Sequence, residues 1–171
     1  MKTIIISGSV GTGKTTIAKK LAKKLKYRYV DVNKIIKEKK LREKYDKKRR
    51  CYVIDTEKLN KSLISLIKSS DTSLARAGGR EKSIKGIIID SHLSHYLPKK
   101  YVDLCIITKC NLKTQEKRLK KRRYNKAKIR ENVECEIFDV CLNEAKELKH
   151  KVMIIDTTKG INLDKFVTKR W

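Results

Sequence analysis

A glycine-rich segment near the start of the chain has the spacing of a phosphate-binding loop. Residues 8–15 read Gly-Ser-Val-Gly-Thr-Gly-Lys-Thr and match G-x-x-x-x-G-K-[ST] at every fixed position. Glycines let backbone amides approach a phosphate chain closely, and a helix that starts directly after the loop adds positive potential. The motif therefore predicts a nucleoside triphosphate site, in which Lys14 reaches the β and γ phosphates and the Thr15 hydroxyl faces Mg²⁺.

A second candidate group follows a buried strand in the middle of the chain. Ile87, Ile88 and Ile89 precede Asp90, and a hydrophobic strand that ends in aspartate typically places a carboxylate on Mg²⁺, directly or through water. His92 lies two residues further on; by its position alone, a histidine in such a loop is more often structural. We interpret His95 and His150 as structural too.

Arginines form the third group. Arg118, Arg122 and Arg123 occupy a strongly basic stretch, and transfer of a phosphoryl group favours planar cations that donate several hydrogen bonds. Most charged side chains on such a helix are simply solvated, so spacing alone does not select the functional ones.

Alternating strands and helices must position these groups. Short isoleucine-rich runs predict buried strands, and apolar residues at helical spacing predict the helices between them. The predicted strands are Lys2–Ser7, Tyr27–Val32, Gly86–Asp90, Val102–Thr108 and Val152–Asp156. The predicted helices are Lys14–Leu25, 34–40 capped by Asn33, 56–68 capped by Asp55, 112–122, 127–149 and 161–170, with an exposed loop over Ser69–Lys85. This order predicts a three-layer α/β fold with a parallel sheet.

Charge and composition bound the function further. The 171 residues include 45 Lys plus Arg and 19 Asp plus Glu, a net charge of +26. Two explanations stay open: a generally lysine-rich proteome, with or without high intracellular salt, or an RNA-rich partner.

Cysteine usage and hydropathy indicate the compartment. The five cysteines have no C-x-x-C spacing, so we expect reduced, mostly buried thiols. The apolar run at the start stops at Ser7-Gly8, short of a signal peptide, and no run approaches the length of a membrane span. We expect no membrane association and a cytoplasmic location.

The motifs together resemble the archaeal and nuclear adenylate kinases, the isoenzyme-six group, which also act as ribosome-assembly ATPases. The resemblance spans nearly the whole chain, and its most specific parts are Asp90-Ser91-His92 and Glu131-Asn132-Val133-Glu134. Other matching segments are Ile6 through Thr16, Asp31-Val32-Asn33, Tyr45-Asp46, Tyr52-Val53-Ile54-Asp55, Ile89 through Pro98, Arg118-Leu119, Tyr124-Asn125, Lys128-Ile129 and Glu136-Ile137.

The resemblance implies one adenylate-kinase-like P-loop domain over residues 1–171. It would have a five-stranded parallel sheet, an acceptor-nucleotide subdomain at about 30–55 and a short lid at about 122–132. The implied reaction is Mg²⁺-dependent, ATP + AMP ⇌ 2 ADP. A small-subunit ribosomal protein and rRNA are the implied partners.

The same resemblance implies roles for single residues. Asp90 and His92 would form a variant Walker B motif, with Thr15 and Asp90 on the metal. Arg122 would contact ATP, and Arg118 is a second candidate at the transferring phosphoryl group. The residues that would hold ATP are Gly11, Gly13, Lys14, Thr15, Thr16, Arg122 and, near the base, Lys159.

Three positions depart from the family pattern. Val10 stands where proline is usual, and Arg123 replaces the glycine of the lid, which removes an easy position for positive φ. Lys37 stands where the acceptor helix often carries an arginine for the AMP phosphate, and lysine lacks the bidentate fork.

Three functions remain open at this point. The first is an AMP-preferring nucleoside monophosphate kinase, and the second is an ATPase that acts on a ribosomal or RNA partner. The third, a scaffold that binds ATP without turnover, is disfavoured because Lys14, Thr15 and Asp90 are all present.

Overall fold

The computed structural model, which describes residues 1–47, 51–76, 85–160 and 163, is built around a five-stranded parallel sheet. The strands are β1 Lys2–Ser7, β2 Arg28–Asp31, β3 Arg42–Asp46, β4 Cys51–Ile54, β5 Gly86–Asp90, β6 Leu104–Lys109 and β7 Val152–Asp156. The parallel sheet has the strand order β2-β5-β1-β6-β7, and a separate antiparallel hairpin pairs β3 with β4. The helices are α1 Lys14–Leu25, α2 Val32–Glu38, α3 Thr56–Arg76, α4 Leu112–Lys121, α5 Lys126–Ile137 and α6 Val140–Glu147.

Both faces of the sheet are covered at its central strands, which is why β1, β5 and β6 are mostly apolar and buried. Ile4 and Ile6 point to the face that α1 covers, whereas Ile5 points to the opposite face, packed by α2, α3 and α6. This is the strand period of two, and it confirms the predicted three-layer α/β fold.

The strand register brings the predicted polar groups to one edge. Ile6 of β1 is level with Asp90 of β5, and Asp31 of β2 is level with Asp90 on the other side. Since the carboxyl ends of parallel strands form the ligand-binding edge of such sheets, the glycine loop after β1 and the turn after β5 share one crevice.

The structure corrects three local predictions. Helix α2 is capped by Asp31, whose side chain accepts from the backbone N–H of Asn33, so Asn33 is not the cap. The predicted helix 127–149 is two helices, because Asp139 adopts φ +52° between α5 and α6 and its carboxylate pairs with Lys109. Helix α3 continues to Arg76, well into the loop predicted from Ser69.

Other sequence predictions have mixed outcomes. Asp55 does cap its helix, because its carboxylate accepts from the N–H groups of Glu57 and Lys58. The hairpin was missed, since β3 reads Arg-Glu-Lys-Tyr-Asp and shows no apolar alternation. The predicted helix 161–170 and the part of the predicted loop at 77–84 lie outside the described residues.

All five cysteines are free thiols, two of them buried and three half-buried. Within the described ranges, no helix combines the length and apolar character needed to cross a bilayer.

Candidate functional site

The loop between β1 and α1 has the backbone geometry of a phosphate cradle. Gly8 has φ +133° and Gly13 has φ +89°, and a Cβ on Gly8 would stand 2.5 Å from the Thr108 carbonyl oxygen. No other residue type fits that contact. The Lys14 ammonium donates to the Gly8 and Ser9 carbonyls, each at 2.8 Å, and therefore lies over the mouth of the loop.

Lys14 is strongly desolvated. Burial lowers its pKa to about 8, while the opposing charge of Asp90 partly offsets that shift. The amine is still mostly protonated at neutral pH. Because water hydrates this charge poorly, binding a phosphate anion beside it would stabilise the ammonium strongly.

Threonine hydroxyls support the cradle from beneath. Thr12 Oγ1 lies 2.7 Å from Thr108 Oγ1, and the Thr157 hydroxyl donates to the Thr12 carbonyl at 2.8 Å. Gln115, fully buried on α4, donates to the carbonyls of Val10 and Asn132. The loop is thus tied to β6, to the turn after β7 and to α4, and through Gln115 to α5.

Two adjoining cavities open beside the loop. The smaller, of about 220 Å³, contains Lys14, Thr15, Asp90 and His92, and we call it the phosphate cavity. The larger, of about 590 Å³, we call the base-side cavity. Gly11, Gly13 and Arg122 line both, so Arg122 stands where the two cavities meet.

Asp90 is held in place by a neighbouring strand. Its side chain is buried, and Oδ2 accepts a 3.0 Å hydrogen bond from the Tyr29 hydroxyl. Burial, reinforced by the Asp90 charge, raises the pKa of Tyr29, so the phenol stays a donor. The carboxylate is therefore fixed toward the phosphate cavity.

His92 faces the same cavity and is neutral. The residue is exposed, yet the protein around it desolvates the ring and lowers its pKa to about 4, with the Lys14 charge acting in the same direction. A neutral imidazole has one donor and one acceptor nitrogen.

The donor set suits Mg²⁺. The Thr15 hydroxyl and the Asp90 carboxylate line one cavity, and hard oxygen ligands that are completed by phosphate oxygens are the usual protein environment of this ion. Among the described residues, no cluster of three or more His, Cys, Asp or Glu side chains forms an all-protein metal cage.

The remaining predicted residues lie in different places. Thr16 lines the base-side cavity. Arg118 lines it too, and its guanidinium donates to the Gly11 carbonyl at 3.2 Å and to the Thr157 hydroxyl and carbonyl at 2.8 Å each. Lys159 is exposed beside Gly160, which lines the base-side cavity. Lys37 is exposed on α2 and lines neither cavity.

Comparisons with known proteins show which family the chain belongs to. The family described as AAA domain matches residues 4–139. A Caenorhabditis elegans protein named adenylate kinase isoenzyme 6 homolog is 33% identical over 144 residues, which cover 84% of this chain and 72% of that protein. A Methanocaldococcus jannaschii protein with the provisional name adenylate kinase is 39% identical over 155 residues, covering 91% and 76%. The chain belongs to the adenylate kinase isoenzyme 6 family.

As a member of that family, the chain is a P-loop kinase with adenylate kinase-like function. Its fold agrees with a crystal structure of a provisionally named kinase from Chloroflexus aurantiacus. That structure superposes with a TM-score of 0.54 at 16% identity and covers 97% of this chain and 91% of the other.

Sequence reasoning missed several residues of the candidate site. No sequence pattern links Tyr29 to the site, because its hydrogen-bond partner Asp90 is 61 positions away in the chain. Asn33, Ser91 and Tyr124 line the phosphate cavity. Ser91 is adjacent to the predicted Asp90 and Tyr124 follows the predicted lid arginines, so proximity could have found both.

Proposed function

We propose that this protein transfers the terminal phosphoryl group of ATP to AMP and yields two ADP. The observation that carries the proposal is the phosphate cavity, where Lys14, Thr15, Asp90 and His92 meet beside an arginine shared with the larger cavity. In this assignment the larger cavity takes the adenosine part of ATP and the smaller one takes its phosphates.

The chain's own residues would act by positioning and charge. The Lys14 ammonium would leave the two loop carbonyls for the β and γ phosphate oxygens, and the loop amides would bind the same chain. Arg122 would stabilise negative charge on the transferring group. Mg²⁺, held by Thr15 and Asp90, would neutralise charge on the phosphate oxygens.

The acceptor side would be formed by the segment at about 30–55. Asn33 borders the phosphate cavity at the start of α2, and Lys37 lies one turn further along the same helix. Closure of this segment and of the segment at about 122–132 would bring AMP in line and exclude water. Arg118 fits the wall of the donor-base site better than the transferring group, since three loop acceptors hold its guanidinium.

The product ratio tests this proposal. ATP and Mg²⁺ are incubated with AMP, CMP, UMP, GMP or no acceptor, and nucleotides are quantified over time. We expect two ADP for each ATP consumed with AMP, slower reaction with the other acceptors, and none with Lys14→Ala. Equal ATP loss with and without AMP would refute a kinase assignment.

A second candidate is an ATPase that assists small-ribosomal-subunit assembly in the cytoplasm, with a small-subunit ribosomal protein and rRNA as partners. It is favoured by neutral His92 in the phosphate cavity, where the ring could orient a water, and by the net charge of +26. Phosphate release without AMP that rises with added ribosomal protein or RNA would support it, and both activities can share one site.

A further inference from the structure

The β3–β4 hairpin is an exposed surface that neither cavity uses. The residues of β3 are exposed apart from half-buried Asp46, and the two central residues of β4 are exposed as well. None of the residues that line the two described cavities belongs to it. The hairpin therefore presents its side chains to solvent.

Two tyrosines lie side by side on this hairpin. Tyr45 and Tyr52 are paired across the strands, with ring centroids 5.0 Å apart and planes at 65°. The Arg42 guanidinium lies 4.7 Å from the Tyr52 ring centroid. Each tyrosine keeps 46% of its surface exposed, so ring area remains open although the pair also stabilises the hairpin.

Positive side chains surround the two rings. Lys44 precedes Tyr45 on β3, Lys47 follows the strand, and Lys39 and Lys40 lead into it, all of them exposed. In the described part of the chain none of these four lysines forms an ion pair, whereas Glu43 is paired with Lys58 at 3.1 Å. The cations next to the rings are thus available to an anionic partner.

We propose that the β3–β4 hairpin binds single-stranded nucleic acid, with bases stacked on Tyr45 and Tyr52 and phosphates near Arg42 and Lys44. Exposed aromatic rings framed by cations are the usual composition of such sites, because every base has a stacking face and every linkage carries a charge. A base-paired duplex hides its faces, so the aromatic pair predicts a preference for single strands. The hairpin belongs to the segment at about 30–55 that the phosphoryl-transfer proposal assigns to the acceptor side, but strand binding is a further property and does not require phosphoryl transfer.

Fluorescence anisotropy with labelled twelve-nucleotide U and dT strands tests the proposal and separates RNA from DNA. We expect Tyr52→Leu and Tyr45→Leu each to weaken binding about 5- to 150-fold, the range for loss of one stacked base. Tyr52→Phe keeps the ring and should retain affinity. Lys44→Gln should make the dependence of log affinity on log salt concentration shallower by about one unit.

Tyr101→Leu is the matched control, because Tyr101 also carries a nearby lysine, with Lys100 Nζ 5.3 Å from its ring centroid. Circular dichroism of each variant checks that the fold is kept. The proposal is overturned if Tyr52→Leu binds as tightly as Tyr101→Leu, if Tyr52→Phe loses as much as Tyr52→Leu, or if saturating AMP displaces the strands. The last outcome would assign the rings to the acceptor nucleotide instead.

Discussion

His95 Nδ1 lies 2.8 Å from Ser7 Oγ, so the turn after β5 is hydrogen-bonded to the last residue of β1. The other ring nitrogen of His95 lies 2.8 Å from Glu144 Oε2 on α6, and Ser7 Oγ also lies 3.2 Å from the His92 carbonyl oxygen. One fully buried side chain thus links the entrance of the phosphate loop, the turn that carries His92, and a helix behind them.

Removing that link should destabilise the protein. In His95→Ala, Ser7 and Glu144 lose a partner and a cavity opens, so we expect the free energy of unfolding to fall by about 2–4 kcal/mol. Urea denaturation measures the change. Tyr96→Phe is the control, because it removes only the hydroxyl that donates to Glu144 at 2.9 Å, and it should cost about 1 kcal/mol. Equal losses would mean that His95 has no special place in this network.

The depressed pKa of Lys14 predicts how catalysis depends on pH. Its value of about 8 belongs to the free protein, so kcat/KM for ATP should decline as the pH rises through 8 and the ammonium loses its proton. Lys14→Arg keeps the charge and should remove this decline even where its overall rate is low. A wild-type profile that stays flat to pH 9.5 would contradict the prediction.

Arg122 and Lys121 are adjacent but should differ in effect. Arg122 lines both cavities, whereas Lys121 lines only the base-side cavity. Arg122→Ala should lower kcat about 100-fold or more, the usual cost of losing a cation at developing charge, whereas Lys121→Ala should change it less than about 10-fold. Steady-state kinetics with AMP as acceptor compares the two variants. Equal losses of kcat would contradict a special role for Arg122 at the junction of the two cavities.

Arg123 occupies a backbone conformation that suits glycine. It has φ +59° and follows Arg122, the residue that caps the end of α4, and its N–H donates to the Lys120 carbonyl at 2.9 Å. A non-glycine residue pays about 1 kcal/mol there, so Arg123→Gly should raise the free energy of unfolding by up to that amount. Arg123→Ala keeps the strain and should give no gain. Thermal denaturation of both variants measures the change in stability. If Arg123→Ala were stabilised as much as Arg123→Gly, the strain argument would be contradicted.

Local signals explain what the sequence predicted well. The isoleucine-rich strands and the phosphate loop depend on neighbouring residues alone, and β1, α1, β5 and β7 have the predicted bounds. The hairpin could not be found this way, because an exposed strand such as Arg42–Asp46 has no buried face to impose alternation.

Buried polar side chains were the second source of error. On α5 the buried positions include Asn132 and Glu136, while Ile137 is 55% exposed, so the buried face of this helix does not simply follow its apolar residues. Gln115 on α4 shows why a polar side chain is buried here: its amide donates to the Val10 carbonyl of the loop, across 105 positions of sequence, and to the Asn132 carbonyl on α5. The hydrophobicity pattern of a sequence cannot predict hydrogen bonds between residues so far apart in the chain.

Isothermal titration calorimetry with ATP and Mg²⁺ tests the central claim most directly, since it measures occupation of the loop without requiring turnover. A slowly hydrolysed ATP analogue is titrated into the wild-type protein and into Lys14→Ala. We predict binding at one site by the wild type, weakened about 10-fold or more without Mg²⁺ and in Lys14→Ala, in line with the loss of a charged contact. Absence of heat with the wild type in the presence of Mg²⁺, under conditions where the protein is folded, would contradict the account.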